Sequence, residues 1–305
     1  MITDCGKRPG FKPANWSGWI LVTVLWVLGK FPVRLGIWCA RPLGWLVFHL
    51  LKRRKLVAQR NIERCFPALG QDEVQKLLRA NFRSLARTVF ETAWCWGMGN
   101  RRFSTMASID GLEHLEAAKA SGRGVLLFTA HMTSLEIGGR VVGSAVPAAA
   151  VYRPLGNEVI EWYQNRGRLR YAEAMISKRE MRSVIRYLRK GGVVWYAPDQ
   201  DFGAQQSVFV PFFGIQTATL EATHKLISLT KCAVVPMFPE FVPEENRYRI
   251  TIRPALEELP TGDVLADLSR LNAEMESHIR KVPEQYWWIH RRFKTRPEGE
   301  APFYD

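Results

Sequence analysis

His131 and Glu136 stand in the stretch FTAHMTSLE, directly after the apolar run GVLLFTA. A histidine exchanges protons near neutral pH, and a carboxylate bonded to one ring nitrogen fixes the tautomer and raises the basicity of the other. Such a pair can take a proton from a hydroxyl as that oxygen attacks a carbonyl carbon. This is the logic of a serine hydrolase triad, with the nucleophile supplied by the substrate. The spacing does not suit one regular helix, because five residues at about 100° each put the two side chains roughly 140° apart. Thr133-x-x-Glu136, however, has the form of a capping box, so a helix is expected to begin at Thr133. His131 then precedes the helix and Glu136 lies in its first turn, from which it can bend back toward the imidazole. The same pattern also lets Glu136 serve only as the acid of the cap.

A second cluster, WYAPDQDFG at 195–203, closes another apolar run and is expected to put Asp199 and Asp201 on the same rim as His131. Pro-Asp and Gly also form turns for purely structural reasons. Between the clusters, residues 152–190 carry ten Lys/Arg against four Glu. Arg166, Arg168 and Arg170 concentrate three guanidiniums in RGRLR, a group suited to bidentate contact with phosphate or carboxylate.

The elements that must position these residues follow from apolar spacing. Val74, Leu77, Leu78, Phe82, Leu85 and Val89 recur at helical intervals over 72–97. Strands are expected at 106–109, in GVLLFTA, at 148–152, in VVWYA, in CAVVPMFPEFV and in RYRITIRP. Helices are expected over GLEHLEAAKASGRG, 178–190, 217–231 and 263–281, with SVFVPFFG as a loop or edge. Strands alternating with helices imply an α/β fold, its mainly parallel central sheet covered by helices on both faces. Sites in such folds form beyond the carboxyl ends of the strands, where both clusters fall.

The chain has 305 residues, room for one large domain and an appendage, and 43 Lys+Arg against 29 Asp+Glu. A net charge of +14 favours an anionic partner such as a phosphorylated lipid surface, an acidic protein or nucleic acid. No helix-turn-helix, zinc finger or RNA-binding signature is present, so nucleic acid is not expected. The five cysteines are scattered, without zinc-ligand spacing, which points to reduced thiols and no metal. Residues 15–55 form the most apolar part, rich in tryptophan and ending at Lys52-Arg53-Arg54-Lys55. It reads as a membrane-binding helical segment over 1–55 ahead of a catalytic domain over 56–305. Two forms stay open: a spanning anchor around 17–37, or helices lying in the interface with Lys and Arg reaching phosphates. The basic cluster after the apolar part is expected to keep the rest cytoplasmic.

Taken together, His131-x4-Glu136, YRPLGN…GRLR, VVWYAPDQDFG, SVFVPFFG and PEQYWWIHRRFKTRPEG resemble the lipid A biosynthesis lauroyl acyltransferases, the late acyltransferases of lipopolysaccharide assembly. The resemblance covers nearly the whole chain. The His-x4-Asp/Glu element is shared with the wider glycerolipid acyltransferase superfamily, whereas the tail is far more specific. What the resemblance implies is a bacterial inner-membrane enzyme with its active site toward the cytoplasm. It would transfer a fatty acyl group, laurate foremost, from acyl carrier protein to a hydroxyl on a 3-hydroxyacyl chain of a Kdo-bearing lipid A precursor. His131 and Glu136 match the family's catalytic pair, and Arg168 and Asp199 fall where the family also needs them. Arg166, Arg170 and Asp201 are further candidates for substrate or transition-state support, and neither cofactor nor metal is implied.

Two other functions fit parts of the pattern. One is a glycerophospholipid or glycolipid acyltransferase of the same superfamily using acyl-CoA. The other is a non-enzymatic basic protein that binds anionic lipid, which explains the charge but not two polar clusters at strand ends.

Overall fold

Residues 125–128, Val-Leu-Leu-Phe, are buried at every position, as expected of a strand covered on both faces. Leu126 and Phe128 join one apolar core, Val125 and Leu127 the other, the alternation that a strand's period of two demands. The computed structural model describes residue 1 and residues 3–304.

Among the described residues five α-helices precede the first strand: α1 (Trp16–Leu28), α2 (Val33–Leu50), α3 (Lys52–Cys65), α4 (Gln71–Gly97) and the short α5 (Asn100–Phe103). Strands and helices then alternate through β1 (Ala107–Asp110), α6 (Leu112–Ala120), β2 (Val125–Phe128), α7 (Leu135–Ala145) and β3 (Ala148–Tyr152). The alternation continues with α8 (Glu158–Arg168), β4 (Ala174–Ser177), α9 (Met181–Arg189) and β5 (Val193–Tyr196). A hairpin of β6 (Ser207–Phe212) and β7 (Ile215–Leu220) leads to α10 (Glu221–Thr230), β8 (Ala233–Val242), β9 (Arg247–Ile252) and α11 (Val264–Ile279). The main sheet has the order β1-β9-β8-β2-β5-β3-β4, parallel except for the antiparallel β8–β9 pair. The expected α/β fold with a mainly parallel sheet between helical layers is thus present.

One local expectation differs. Residues 217–220 belong to β7 rather than to a helix, and SVFVPF is its hairpin partner. The turn between them, Phe213-Gly214, has positive φ at both positions (54° and 73°), as a two-residue hairpin requires. A phenylalanine is held in that region because its ring packs edge-on against Phe66, Phe212 and Trp288. The sequence reading also lacks α8 and β4, which lie in the stretch it treated only as a basic run between the two polar clusters.

The apolar N-terminus forms two helices separated by a turn at 29–32, not one continuous helix over 17–37. At 1.5 Å per residue, α1 is about 20 Å long against the ~30 Å of a hydrocarbon core. No helix among the described residues is long and apolar enough to cross a membrane, which corrects the spanning reading. α2 instead packs along α4. Gly36, Ala40 and Gly44, four residues apart on one face, are buried there. A Cβ at Gly36 would lie 2.4 Å from the Trp94 ring, and one at Gly44 2.8 Å from the Arg83 Cα. A backbone atom cannot rotate away, so Gly44→Val is expected to destabilise the fold by about 1–3 kcal/mol or more. A thermal melt with an unchanged midpoint would contradict this packing.

The outward faces of the same helices carry large apolar side chains. Ile20 is 67% exposed, Trp38 62% and Trp45 65%, far from what an isolated soluble surface needs.

Candidate active site

β2 and β5 are neighbours, paired in parallel with Phe128 opposite Tyr196. The Thr129 amide continues the ladder onto the Tyr196 carbonyl at 3.0 Å. His131 lies three residues beyond Phe128, and Asp199 three beyond Tyr196, so the register alone brings them to one rim. There His131 Nδ1 and Asp199 Oδ1 are 2.5 Å apart. The other carboxylate oxygen accepts from the His131 backbone N–H at 2.9 Å and from the Tyr286 hydroxyl at 3.0 Å. Asp199 is fully buried, whereas the His131 side chain is 27% exposed.

Burial by itself would raise the Asp199 pKa, but the imidazole's charge and the hydrogen bonds from His131 outweigh it and hold the group down at about 2. Burial would lower the His131 pKa, but the Asp199 charge and hydrogen bond prevail and raise it above its ordinary 6.5. The ionised carboxylate accepts the Nδ1 proton, so Nε2 of the neutral ring carries the lone pair. A base acts only when deprotonated, so activity is expected to rise with pH through this raised value. In Asp199→Asn, which loses the charge, the acid limb of the kcat/KM profile is expected to move to lower pH. An unmoved limb would dissociate Asp199 from the titration. Because the folded-state pKa is raised, the stability contributed by His131 is complete below the unfolded value and lost as pH rises through the folded one.

Glu136 does not partner His131. It sits in the first turn of α7 and accepts two hydrogen bonds from Arg168, one of them short, plus one from Trp96 Nε1 at 3.0 Å and one from the Tyr171 hydroxyl at 3.3 Å. Burial would raise its pKa, but the Arg168 charge and these donors lower it, so it stays ionised. The helix also starts later than expected: Ser134, not Thr133, is the N-cap, with no side-chain cap bond. The Thr133 amide donates instead to the Gln285 carbonyl at 2.7 Å. Tail residues 285–287 compete for the loop's backbone, with Met132 bridging Tyr286, and this displaces the capping box.

The three arginines of RGRLR diverge. Arg168 turns inward to Glu136. Arg170 donates to the Trp96 and Met98 carbonyls at 3.2 and 3.0 Å, closing the end of α4. Arg166, exposed like Arg170, lies over the Trp162 ring at 5.4 Å. Asp201 binds the Thr295 amide and hydroxyl at 2.7 and 2.8 Å and so anchors the tail to the rim. Its own amide donates to His290 Nε2 at 3.2 Å.

Sequence reasoning missed Tyr286, Trp96 and Tyr171, the hydroxyl and indole donors to the two carboxylates. Tyr286 had a signal in the distinctive PEQYWWIH tail, while Trp96 and Tyr171 look like ordinary apolar residues. It also missed the support beneath the loop. Arg87 and Glu91 pair at 2.8 Å inside α4, Ser134 Oγ donates to Glu91 at 3.3 Å, and Thr88 Oγ1 donates to the Thr133 carbonyl at 3.1 Å. Charges at i and i+4 on the apolar stripe of α4 could have revealed it. Among the described residues, no group of three or more His, Cys, Asp or Glu side chains is arranged to hold a metal.

A histidine–carboxylate pair at adjacent strand ends is common to many enzymes, so wider similarity decides the class. Residues 7–295 match the model of the bacterial lipid A biosynthesis acyltransferases. The chain belongs to that family. It is 38% identical to a lipid A biosynthesis palmitoleoyltransferase of Escherichia coli K12 over 306 residues, all of both chains. It is also 38% identical to the lipid A biosynthesis lauroyltransferase of the same strain, over 94% of each chain. A lipid A biosynthesis acyltransferase of Haemophilus influenzae is 33% identical over 97% of each. This lipid A acyltransferase therefore carries the resemblance expected from its sequence across its whole length.

Proposed function

We propose that the protein transfers a fatty acyl group, laurate foremost, from acyl carrier protein to a hydroxyl on a 3-hydroxyacyl chain of a Kdo-lipid IVA-type precursor. The observation that carries the reading is the His131–Asp199 pair, with one ring nitrogen held by a buried carboxylate and the ring partly open to solvent. His131 Nε2 takes the proton of the acceptor hydroxyl as its oxygen attacks the thioester carbonyl carbon. The tetrahedral intermediate collapses with loss of the thiolate, which recovers the proton from His131. Atoms and charge balance without a cofactor. The start of α7 has no side-chain cap, and although the Leu135 amide donates to the Met132 carbonyl, the amides of Ser134 and Glu136 are the donors proposed for the oxyanion. Glu136 and Arg168 act as positioning residues in this scheme, holding α7 against α8 behind the histidine.

The exposed apolar faces of α1 and α2 suit helices lying in the interface of the bacterial inner membrane, with the active site toward the cytoplasm. The basic surface suits both an acidic carrier protein and a phosphorylated lipid. The test supplies purified protein with labelled lauroyl-carrier protein or lauroyl-CoA, and with the lipid A precursor or glycerol phosphate as acceptor. Mass spectrometry identifies the product. Acylated lipid A precursor from the carrier-protein donor is expected, and loss of at least a hundredfold in His131→Ala. Preference for acyl-CoA and glycerol phosphate would overturn the reading.

A further inference from the structure

The arginines best placed to meet a free anion are not those of RGRLR. Arg53, Arg54 and Arg60 of α3 and Arg291 of the tail line one cavity of about 440 Å³, with Leu56 and Tyr304 in its wall. Among the described residues none of the four has a carboxylate within ion-pair distance. Arg54 donates to the Ile289 carbonyl at 3.2 Å and Arg291 lies over the Tyr304 ring at 5.2 Å. Four like charges on one concave wall repel one another, and an anion placed among them turns the sum attractive. Guanidiniums suit a phosphate in particular, since each offers a planar fork to two oxygens.

The surroundings narrow the ligand. α3 begins where α2 ends, and Leu50, Leu51 and Leu56 are all exposed, so the cavity opens beside apolar surface. A short stretch of the tail links it to the reacting centre. The Trp287 amide binds the His131 carbonyl at 3.1 Å, and Ile289, two residues on, holds Arg54 at 3.2 Å. With ~3.5 Å per residue, that path keeps the Arg54 guanidinium within about 16 Å of the His131 backbone. A soluble phosphate has no use for the apolar rim, whereas a phosphorylated sugar bearing acyl chains uses both.

We propose that this cavity binds a phosphate monoester of the acceptor glycolipid and so sets which acyl hydroxyl reaches His131. The inference rests on the acyl transfer proposed above, and adds a binding subsite to it.

The full-length protein is assayed with a phosphorylated lipid A precursor and with the same precursor after phosphatase treatment. Arg54→Ala and Arg291→Ala are each expected to raise the KM for the phosphorylated acceptor roughly tenfold or more. The kcat, the donor KM and the KM for the dephosphorylated acceptor stay near wild-type values. Because Arg54 also holds the tail backbone, Arg53→Ala/Arg60→Ala serves as an independent pair with the same expected selectivity. Equal losses on both acceptors, or none, overturn the proposal. Flotation with vesicles of phosphatidylglycerol in phosphatidylcholine is expected to be unchanged by the substitutions. Lost flotation with unaltered KM would assign the arginines to membrane headgroups and also overturn it. If the wild type acylates no lipid A precursor, the proposed reaction fails, and calorimetry with the phosphorylated precursor decides the cavity separately. Binding by the wild type that is weakened at least tenfold in Arg54→Ala/Arg291→Ala supports the site, and equal binding refutes it.

Discussion

Asp199→Asn is expected to lower kcat by about 10²–10⁴-fold while leaving the fold intact. Asparagine is nearly isosteric, so the cavity beneath His131 stays filled. Its single carbonyl oxygen cannot replace both carboxylate oxygens, which accept from the His131 ring, the His131 amide and Tyr286. If the oxygen keeps the backbone and tyrosine donors, the amide NH2 faces Nδ1. That nitrogen must then accept, the ring proton moves to Nε2, and the base is lost. Acceptor binding involves none of these bonds, so KM is expected to change little. A single-turnover assay with labelled donor reads the chemical step, and turnover within about threefold of wild type would make Asp199 a structural residue only. The substitution also alters the acid end of stability. A carboxyl with a depressed pKa contributes stability that is complete above its unfolded value and lost as pH falls through about 2. Acid denaturation of the variant lacks that component.

The second large effect concerns Glu136 and Arg168, whose side chains are only 12% and 16% exposed. Removing one partner leaves the other charge buried without compensation, which costs about 3–5 kcal/mol. Arg168→Met strands the Glu136 carboxylate with only Trp96 and Tyr171 as donors, and Glu136→Gln strands the guanidinium. Replacing both by methionine removes both desolvation penalties, so the double variant is expected to recover most of the lost stability. Turnover is expected to stay at least tenfold down, since methionines fill the space without fixing the first turn of α7 behind His131. Denaturant unfolding and turnover, measured on all three variants at a temperature where each is folded, separate the two effects. Recovery of turnover together with stability would reduce the pair to a packing element.

The RGRLR run shows why composition misleads about sites. Three arginines in five residues look like a ready anion trap, yet α8 ends at Arg168 and the chain turns there, so successive side chains leave in different directions. One meets a carboxylate, one meets the end of α4, and one lies over the Trp162 ring. The arginines that do converge come from α3 and from the tail, more than 200 residues apart in sequence. No local window could have joined them.

The sequence alone determined most of the elements and the kinds of chemistry available. Buried strands announced themselves as continuous apolar runs, α4 by apolar spacing at helical intervals, and both polar clusters by following strands directly. These signals are local, because each depends on a backbone period of two or 3.6 residues. Which carboxylate His131 receives was decided only by the tertiary structure. Glu136 is five residues away and Asp199 sixty-eight, and proximity in sequence favours the wrong one. The choice follows from β5 docking beside β2 in parallel with Phe128 opposite Tyr196, an outcome of packing across the whole sheet. Register is a property of two strands at once. The pattern within either strand says which side chains are buried, but not which strand will lie next to it.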